Sequence, residues 1–235
     1  MKYIISLIIM SMSLLAQDYY TKIQAVDEYN IKSAISGKVT FSNISLESTL
    51  VKDDLIIKID DKINKIELKQ TKNKILNQKQ ILTIQKQTLN SLNKVSSKSK
   101  FEKDKQKIVI LGTKIVLNDL QTKLYTLKDI IKNKSIRVKN LYINKIYVNK
   151  EDFVNPGTLL LSAYDLSKGK LIIFVNKNDV KNIKNKTILI DGKQENVIIK
   201  KVYKTTDEKH LSSYKVELIL PKVDTFSKLV KVSIK

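Results

Sequence analysis

The chain contains no cysteine and no tryptophan, and only two prolines and five glycines among 235 residues. Without cysteine there is no disulfide, no thiol nucleophile, no zinc–thiolate site and no lipid-modified cysteine. The single histidine, His210, cannot by itself build a histidine-rich metal site or fill several catalytic roles. It lies in the polar stretch "TTDEKHLSSY" and is read as a solvated loop residue. No nucleophile beside a base, no pocketed carboxylate pair and no phosphate-cradling glycine loop is found. A non-enzymatic protein without metal or cofactor is therefore expected. So little glycine and proline suits long helices and simple strands better than a loop-rich enzyme.

The formal charge of +21 comes almost wholly from lysine: of 44 basic residues, Arg137 alone is an arginine. Base readout and bidentate phosphate contacts draw on the guanidinium fork, and these lysines are spread along the chain instead of gathered in a stripe. Abundant Lys, Asn and Ile with almost no Arg is also the composition that AT-rich coding imposes. No nucleic-acid partner is expected. An apolar content of 42% is that of a folded chain.

The N-terminus, "MKYIISLIIMSMSLLAQDYY", places Lys2 before an apolar run from Ile4 to Ala16. The run is too short to span a hydrocarbon core of about 30 Å, but it suits the central region of a secretory signal. Residues 1–16 are read as a signal peptide, with an uncleaved anchor or a buried helix as the alternative.

From Asp61 to Lys132 there is no proline, and Gly112 is the only glycine. Leu68, Ile75, Leu82 and Leu89 recur every seventh residue, with Thr71, Gln78, Gln85 and Leu92 three further on. Ile110, Leu117, Leu124 and Ile131 repeat the pattern, partnered by Thr113, Leu120 and Leu127. Such a repeat keeps one stripe facing a partner helix. Between the two arms, "NKVSSKSKFEKD" breaks the repeat with serines that compete for local backbone bonds. Ser99 and Glu102 have the spacing of a capping box. Residues 61–132 are predicted to form an antiparallel coiled-coil hairpin, one long helix dimerising in parallel being the alternative. Gln78 and Gln85 weaken the seam while specifying its register, or face neighbouring hairpins.

The flanks read as sheet. In "YNIKSAISGKVTFSNISLESTLVKDDLIIKID", Val39 and Phe41 alternate with polar residues and Gly37 marks a turn between two short strands. Asp60-Asp61 ends a strand and caps the first helix. On the far side, Asn155-Pro156-Gly157-Thr158 fits a type II turn: Pro156 fixes φ at the second position and Gly157 supplies the positive φ at the third. A hairpin returns to where it begins, so the two flanks are brought side by side and can complete one sheet.

The order of half-motif, helical hairpin, half-motif and β-rich tail resembles the HlyD-type membrane fusion proteins, the periplasmic adaptors of Gram-negative efflux and secretion systems. Gly37-Lys38-Val39, Val51-Lys52-Asp53-Asp54-Leu55 and Ile59-Asp60 follow that family's first half-motif, without its second glycine. Val154, Pro156, Gly157, Thr158 and Leu160 follow the second. The Ala-Pro-x-x-Gly turn that opens the second half in the family has no counterpart in "RVKNLYINKI". The resemblance implies an α+β fold: a lipoyl-like β-domain in two halves, residues 17–60 and 133–169, split by the hairpin of residues 61–132. A small β-barrel over residues 170–235 follows, and the family's membrane-proximal domain is expected to be missing or rudimentary. Within the tail, Asp191-Gly192 is a hairpin turn, and a brief helix is expected near Asn178 to Ile183. Because the hairpin takes the place of the tight turn that displays the modified lysine of lipoyl carriers, no carrier role is implied.

In function, the resemblance implies a periplasmic, ring-forming adaptor, typically a hexamer. Its barrel end would dock on an inner-membrane transporter of the resistance-nodulation-division or ABC type, and its hairpin would reach a TolC-like outer-membrane channel. Adaptor tips of the resistance-nodulation-division type carry an Arg, a Leu four residues on and a Ser eleven residues on. Aligning that Ser with Ser97 puts Lys86 at the Arg position and Asn90 at the Leu position. Aligning it with Ser99 gives Leu92, with Thr88 where Arg should be. Lys86, Leu92, Ser97 and Ser99 are thus candidate channel contacts. The competing readings are an exported coiled-coil scaffold without a transporter and, from the charge alone, a secreted polyanion binder.

Overall fold

The computed structural model describes residues 17–97, 99–206 and 209–235. The signal-peptide reading of residues 1–16 lies outside them. In chain order the elements are β1 (Gln17–Lys22), β2 (Gln24–Lys32), β3 (Gly37–Ser42), β4 (Leu50–Val51) and β5 (Asp54–Ile59), then helices α1 (Lys62–Lys94) and α2 (Lys100–Asn133). After the helices come β6 (Ser135–Val138), β7 (Leu141–Ile146), β8 (Phe153–Val154), β9 (Leu159–Asn176) and α3 (Lys177–Lys181). The chain closes with β10 (Ile188–Ile190), β11 (Lys193–Gln194), β12 (Ile198–Thr206), β13 (Ser213–Leu220) and β14 (Leu229–Ile234). The fold is mixed α+β.

The strands flanking the helices interleave across the two halves. β5 pairs with β6, β3 with β8, and β4 with β7, each pair joining a strand before the helices to one after them. The core between them is also shared: Val39, Ile56, Ile57 and Ile59 pack with Val138, Ile143, Leu160 and Leu161, all essentially buried. Both halves contribute buried side chains to this core, so apolar burial helps drive them together. A bulge separates Val39 from Phe41 in β3, so Val39 points inward while Phe41 lies 42% exposed, against the simple alternation expected for this strand.

Two turns and one close strand contact join the halves. Gly37 is not in a turn: it opens β3 opposite Val154, with φ +158°, where a Cβ would lie 2.6 Å from the Cγ2 of Ile59. Pro156 and Gly157 (φ +89°) sit in the turn where the Thr158 amide donates to the Asn155 carbonyl at 3.0 Å. That turn is docked on the first half, for the Gly157 amide donates to the Ser33 carbonyl and the Ser33 amide to the Thr158 carbonyl, both at 2.8 Å. Between β6 and β7, where the family pattern has glycine, Asn140 takes φ +53° and its amide donates to the Lys52 carbonyl at 3.2 Å. Asparagine tolerates the left-handed region better than other residues with a Cβ. Asn140→Ala is expected to lower stability by about 1 kcal/mol and Asn140→Gly to leave it equal or higher, measured by denaturant unfolding.

A second core, centred on Leu171, Ile173, Val216, Leu218, Val230 and Val232, lies inside a half-barrel. One sheet runs β1-β14-β10-β11, and the other brings β12 and β13 alongside β9. Residues 17–22, expected in the first half of the lipoyl-like unit, pair instead along the whole of β14, Gln17 opposite Ile234 and Lys22 opposite Leu229. β1 meets β9 through side chains: the Thr21 hydroxyl donates to the Ile172 carbonyl at 2.7 Å, and Asn176 Nδ2 donates to Gln17 Oε1. The boundary expected at residues 169/170 falls inside β9, one continuous strand. Its first part pairs with β7 and its last with β13, while β2 runs along it from residue 170 back to 159. This two-stranded ribbon makes the link between the two cores a piece of sheet. The brief helix appears as α3, with Asn176 Oδ1 accepting from the amides of Asn178 and Asp179 at 3.0 and 2.9 Å. Asp191 and Gly192 both take positive φ (49° and 79°) in the β10–β11 turn, the two-residue hairpin geometry.

Candidate functional site

Among the described residues, the two long helices present a large surface outside the two β cores. α1 and α2 run antiparallel, as cross-links at both levels require: Lys123 pairs with Glu67 at 2.7 Å near the base, and Gln106 Nε2 donates to the Gln85 carbonyl at 3.0 Å higher up. At about 1.5 Å per residue each helix is about 50 Å long. The side chains turned inward are those of the seven-residue repeat. Thr71, Ile75, Ile110, Thr113 and Leu127 are buried, and Leu68, Leu82, Leu89, Leu92, Leu117, Leu120 and Leu124 half-buried. Gln85 Oε1 is buried in this seam and finds no partner among the described residues. Replacing an unpartnered buried acceptor by an apolar group removes a desolvation penalty, so Gln85→Leu is expected to raise stability by about 1 kcal/mol.

The base of the hairpin is tied to the sheets by a polar cluster. Asp61 is 5% exposed and takes the ammonium groups of Lys58 and, at 3.1 Å, Lys65. Lys58 also donates to Ser135 Oγ at 2.6 Å, and Lys134 donates to the Asp60 carbonyl at 2.6 Å and to Asn64 Oδ1 at 2.7 Å. Asp60 and Asp61 divide the expected capping role: Asp60 Oδ1 accepts from the Lys62 amide at 3.1 Å, while the Asp61 side chain turns to the lysines. Burial works to raise the Asp61 pKa, but hydrogen bonds from Lys58 and Lys65 outweigh it and hold the carboxyl below its ordinary range.

At the other end the four candidate tip residues divide. Ser97 is exposed in the turn. Ser99 caps α2 in a capping box, its Oγ accepting from the Glu102 amide at 3.2 Å while its own amide donates to Glu102 Oε2 at 3.1 Å. Leu92 packs half-buried in the seam, and Lys86 is exposed on α1, about 12 Å below that helix's end. Leu92, Ser97 and Ser99 come together at the tip; Lys86 stands apart.

Sequence reasoning missed a second feature of the hairpin. Phe101, Ile108, Leu111 and Ile115 lie 76%, 69%, 56% and 62% exposed on α2. At 100° per residue they form one stripe on the side of α2 opposite the seam, running down from the tip. Their spacing of seven, with Leu111 interleaved, is itself a heptad signal, hidden in the sequence beside the stronger one of the seam.

Elsewhere, His210 is exposed but not simply solvated, since its ring stacks on Phe174 with centroids 3.7 Å apart. Among the described residues there is no cluster of three or more potential metal ligands, and no helix is long and apolar enough to cross a membrane.

A half-barrel joined by a sheet ribbon to a two-part β unit, from which a long helix pair projects, is the fold of the membrane fusion, or adaptor, proteins. MacA from Actinobacillus actinomycetemcomitans superposes with a TM-score of 0.69 at 16% identity, over 94% of this chain and 78% of that one. A MacA–MexA chimera containing the Pseudomonas aeruginosa MexA alpha-hairpin domain gives 0.65 at 16% identity, over 94% and 80%. The membrane fusion protein Spr0693 from Streptococcus pneumoniae R6 gives 0.67 at 9% identity, over 93% and 97%. At such identities the likeness is one of fold. No protein-family model and no curated protein matches the sequence.

Proposed function

We propose that the chain is a non-enzymatic adaptor, a lipoyl-like β-domain split by a coiled-coil hairpin and followed by a small β-barrel. In this reading it is exported through residues 1–16, works in the periplasm and assembles as a ring of identical copies, a hexamer in the family it resembles. It links an inner-membrane transporter, of the resistance-nodulation-division or ABC type, to a TolC-like outer-membrane channel. The observation that carries the reading is the outer stripe of Phe101, Ile108, Leu111 and Ile115. An apolar stripe on a solvated helix, opposite the face its own partner covers, is a surface for another helical protein. Ser97 and Lys86 contribute polar contacts to a channel in this reading, while Leu92 and Ser99 hold the shape of the turn.

The absence of cysteine makes the test direct. Single cysteines replace Ser97 at the tip and exposed Thr205 on the half-barrel, and each is crosslinked in the intact cell envelope. The expected adducts are an outer-membrane channel from the tip and an inner-membrane transporter from the half-barrel. Adducts of the chain with itself alone, at both positions, would replace the adaptor by an exported scaffold.

A further inference from the structure

The half-barrel has two unlike ends. At one, β2 and β9 leave as the ribbon toward the hairpin. At the other, Gln17 opposite Ile234, Asn176 opposite Ser213, and Thr187 hydrogen-bonded to Lys235 in both directions bring β1, β14, β9, β13 and the segment before β10 to one pole. Two independent observations meet there.

The first is charge. The pole is capped by α3 and the 3-10 turn Ile183–Asn185, whose sequence from residue 177 to 186 is "KNDVKNIKNK". Its one carboxylate, Asp179, is taken by Lys186, and Asp18 nearby is taken by Lys231 at 3.1 Å and by Ser233. Lys177, Lys181 and Lys184 are exposed, and none has a carboxylate partner among the described residues. Asp207 and Glu208, of the β12–β13 connection, lie outside the described residues. The ribbon end differs: there Asp165, Asp191, Glu195 and Asp224 are interspersed with the lysines, and Asp191 pairs with Lys228 at 2.9 Å.

The second is connectivity. Gln17 begins β1 at this pole, and consecutive Cα atoms are about 3.8 Å apart. The sequence before Gln17, with its apolar run Ile4–Ala16, therefore enters the fold beside the lysine cap.

We propose that this pole, through Lys177, Lys181 and Lys184, seats directly on an anionic phospholipid surface. The half-barrel then stands on the membrane by its own lysines, with the ribbon and hairpin pointing away from the bilayer. Lysines near an anionic leaflet bind it additively and fade with salt over the Debye length. The proposal uses neither the hairpin stripe nor any partner protein, so it stands or falls apart from the adaptor reading.

The test is sedimentation of the purified exported chain with vesicles of phosphatidylglycerol in phosphatidylcholine, against vesicles of phosphatidylcholine alone. Affinity is expected to be higher for the anionic vesicles and to fall as sodium chloride is raised. The triple variant K177E/K181E/K184E should weaken anionic-vesicle binding at least about tenfold. The equal charge change on the hairpin, K69E/K72E/K79E, should alter it by less than about twofold. All six lysines are exposed, and an unchanged thermal midpoint verifies that each variant is folded. Equal losses in the two variants would mean attraction by net charge alone and would overturn the assignment. So would equal affinity for the two vesicle types, or binding to soluble heparin through the same three lysines with none to vesicles.

Discussion

Asp61→Ala is expected to lower the unfolding free energy by about 3 kcal/mol, the largest loss of any single polar substitution at the hairpin base. The carboxylate is nearly buried and is the counter-charge of Lys58, whose own side chain is only 21% exposed. Removing one member of a buried pair leaves the other charge uncompensated, which costs about 3–5 kcal/mol. The lower figure applies because Lys58 keeps its bond to Ser135 Oγ and some access to water. The same change loosens the tie between the start of α1 and β6, so the hairpin loses its fixed attachment as well as stability. Its pH dependence separates this account from a simple packing loss. The folded-state pKa of Asp61 is lowered, burial being outweighed by the hydrogen bonds from Lys58 and Lys65. Its contribution is therefore complete above the ordinary carboxylate value of about 3.9 and disappears as pH falls through the lower, folded value. Denaturant unfolding of native protein and variant should give a constant difference from neutral pH down to about pH 5, narrowing below it. A difference that stays constant in strong acid would rule out the ion pair as its source.

Gly37→Ala is the second large effect, with an expected loss of about 2–3 kcal/mol. A Cβ built there meets the Cγ2 of Ile59 at 2.6 Å, and Ile59 is wholly buried between the two halves, so it cannot swing away. The backbone adds to the cost, since φ of +158° at Gly37 is at the edge of what a residue with a Cβ adopts. Gly157→Ala isolates that second contribution. Gly157 has φ +89° but open space around the missing Cβ, so only conformational cost applies, about 1 kcal/mol. Equal losses at the two glycines would show that crowding against Ile59 is relieved by local movement. Because Gly37 pairs with Val154 across the two halves, the Gly37 variant is also expected to expose the β6–β9 region to protease before the helices melt.

The comparison of the two glycines shows where sequence reading stops. Gly157 was legible as a turn residue because Pro156 precedes it and the rule involves only four consecutive residues. Gly37 looked like another turn residue, yet its role is a close approach to Ile59, a side chain 22 positions away that only the folded sheet brings near. Asn140 is the converse case. The missing glycine suggested a departure from the family pattern, but the φ of +53° is still required there and asparagine meets it. In the hairpin, the buried positions match the heptads read from the sequence, because which face a residue occupies depends only on its spacing along one helix. The outer stripe was present in the same letters, but a single-seam reading assigns each helix one apolar face and passes over a second. At the tip, spacing along the helices gave the positions of Leu92, Ser97 and Ser99 near the turn but not their partners: Leu92 packs half-buried in the seam, Ser99 caps α2, and Lys86 is exposed lower on α1.

Local order was thus determined by the sequence itself: the helix pair and its inward faces, the capping box at Ser99, the turns at Pro156-Gly157 and Asp191-Gly192, and the strand-rich flanks. Each follows from interactions within one or two turns of backbone, whose energies depend on neighbours a few residues apart. Only the tertiary structure decided that residues 17–22 join β14 at the far end of the chain, that β9 belongs to both cores, and that Lys58 and Asp61 lock the hairpin to β6. Those outcomes depend on which apolar faces can be buried together and which buried charges then find partners. Many strands of similar pattern compete for each pairing, and the choice is made by the closing of the whole core, a quantity no short stretch of sequence contains.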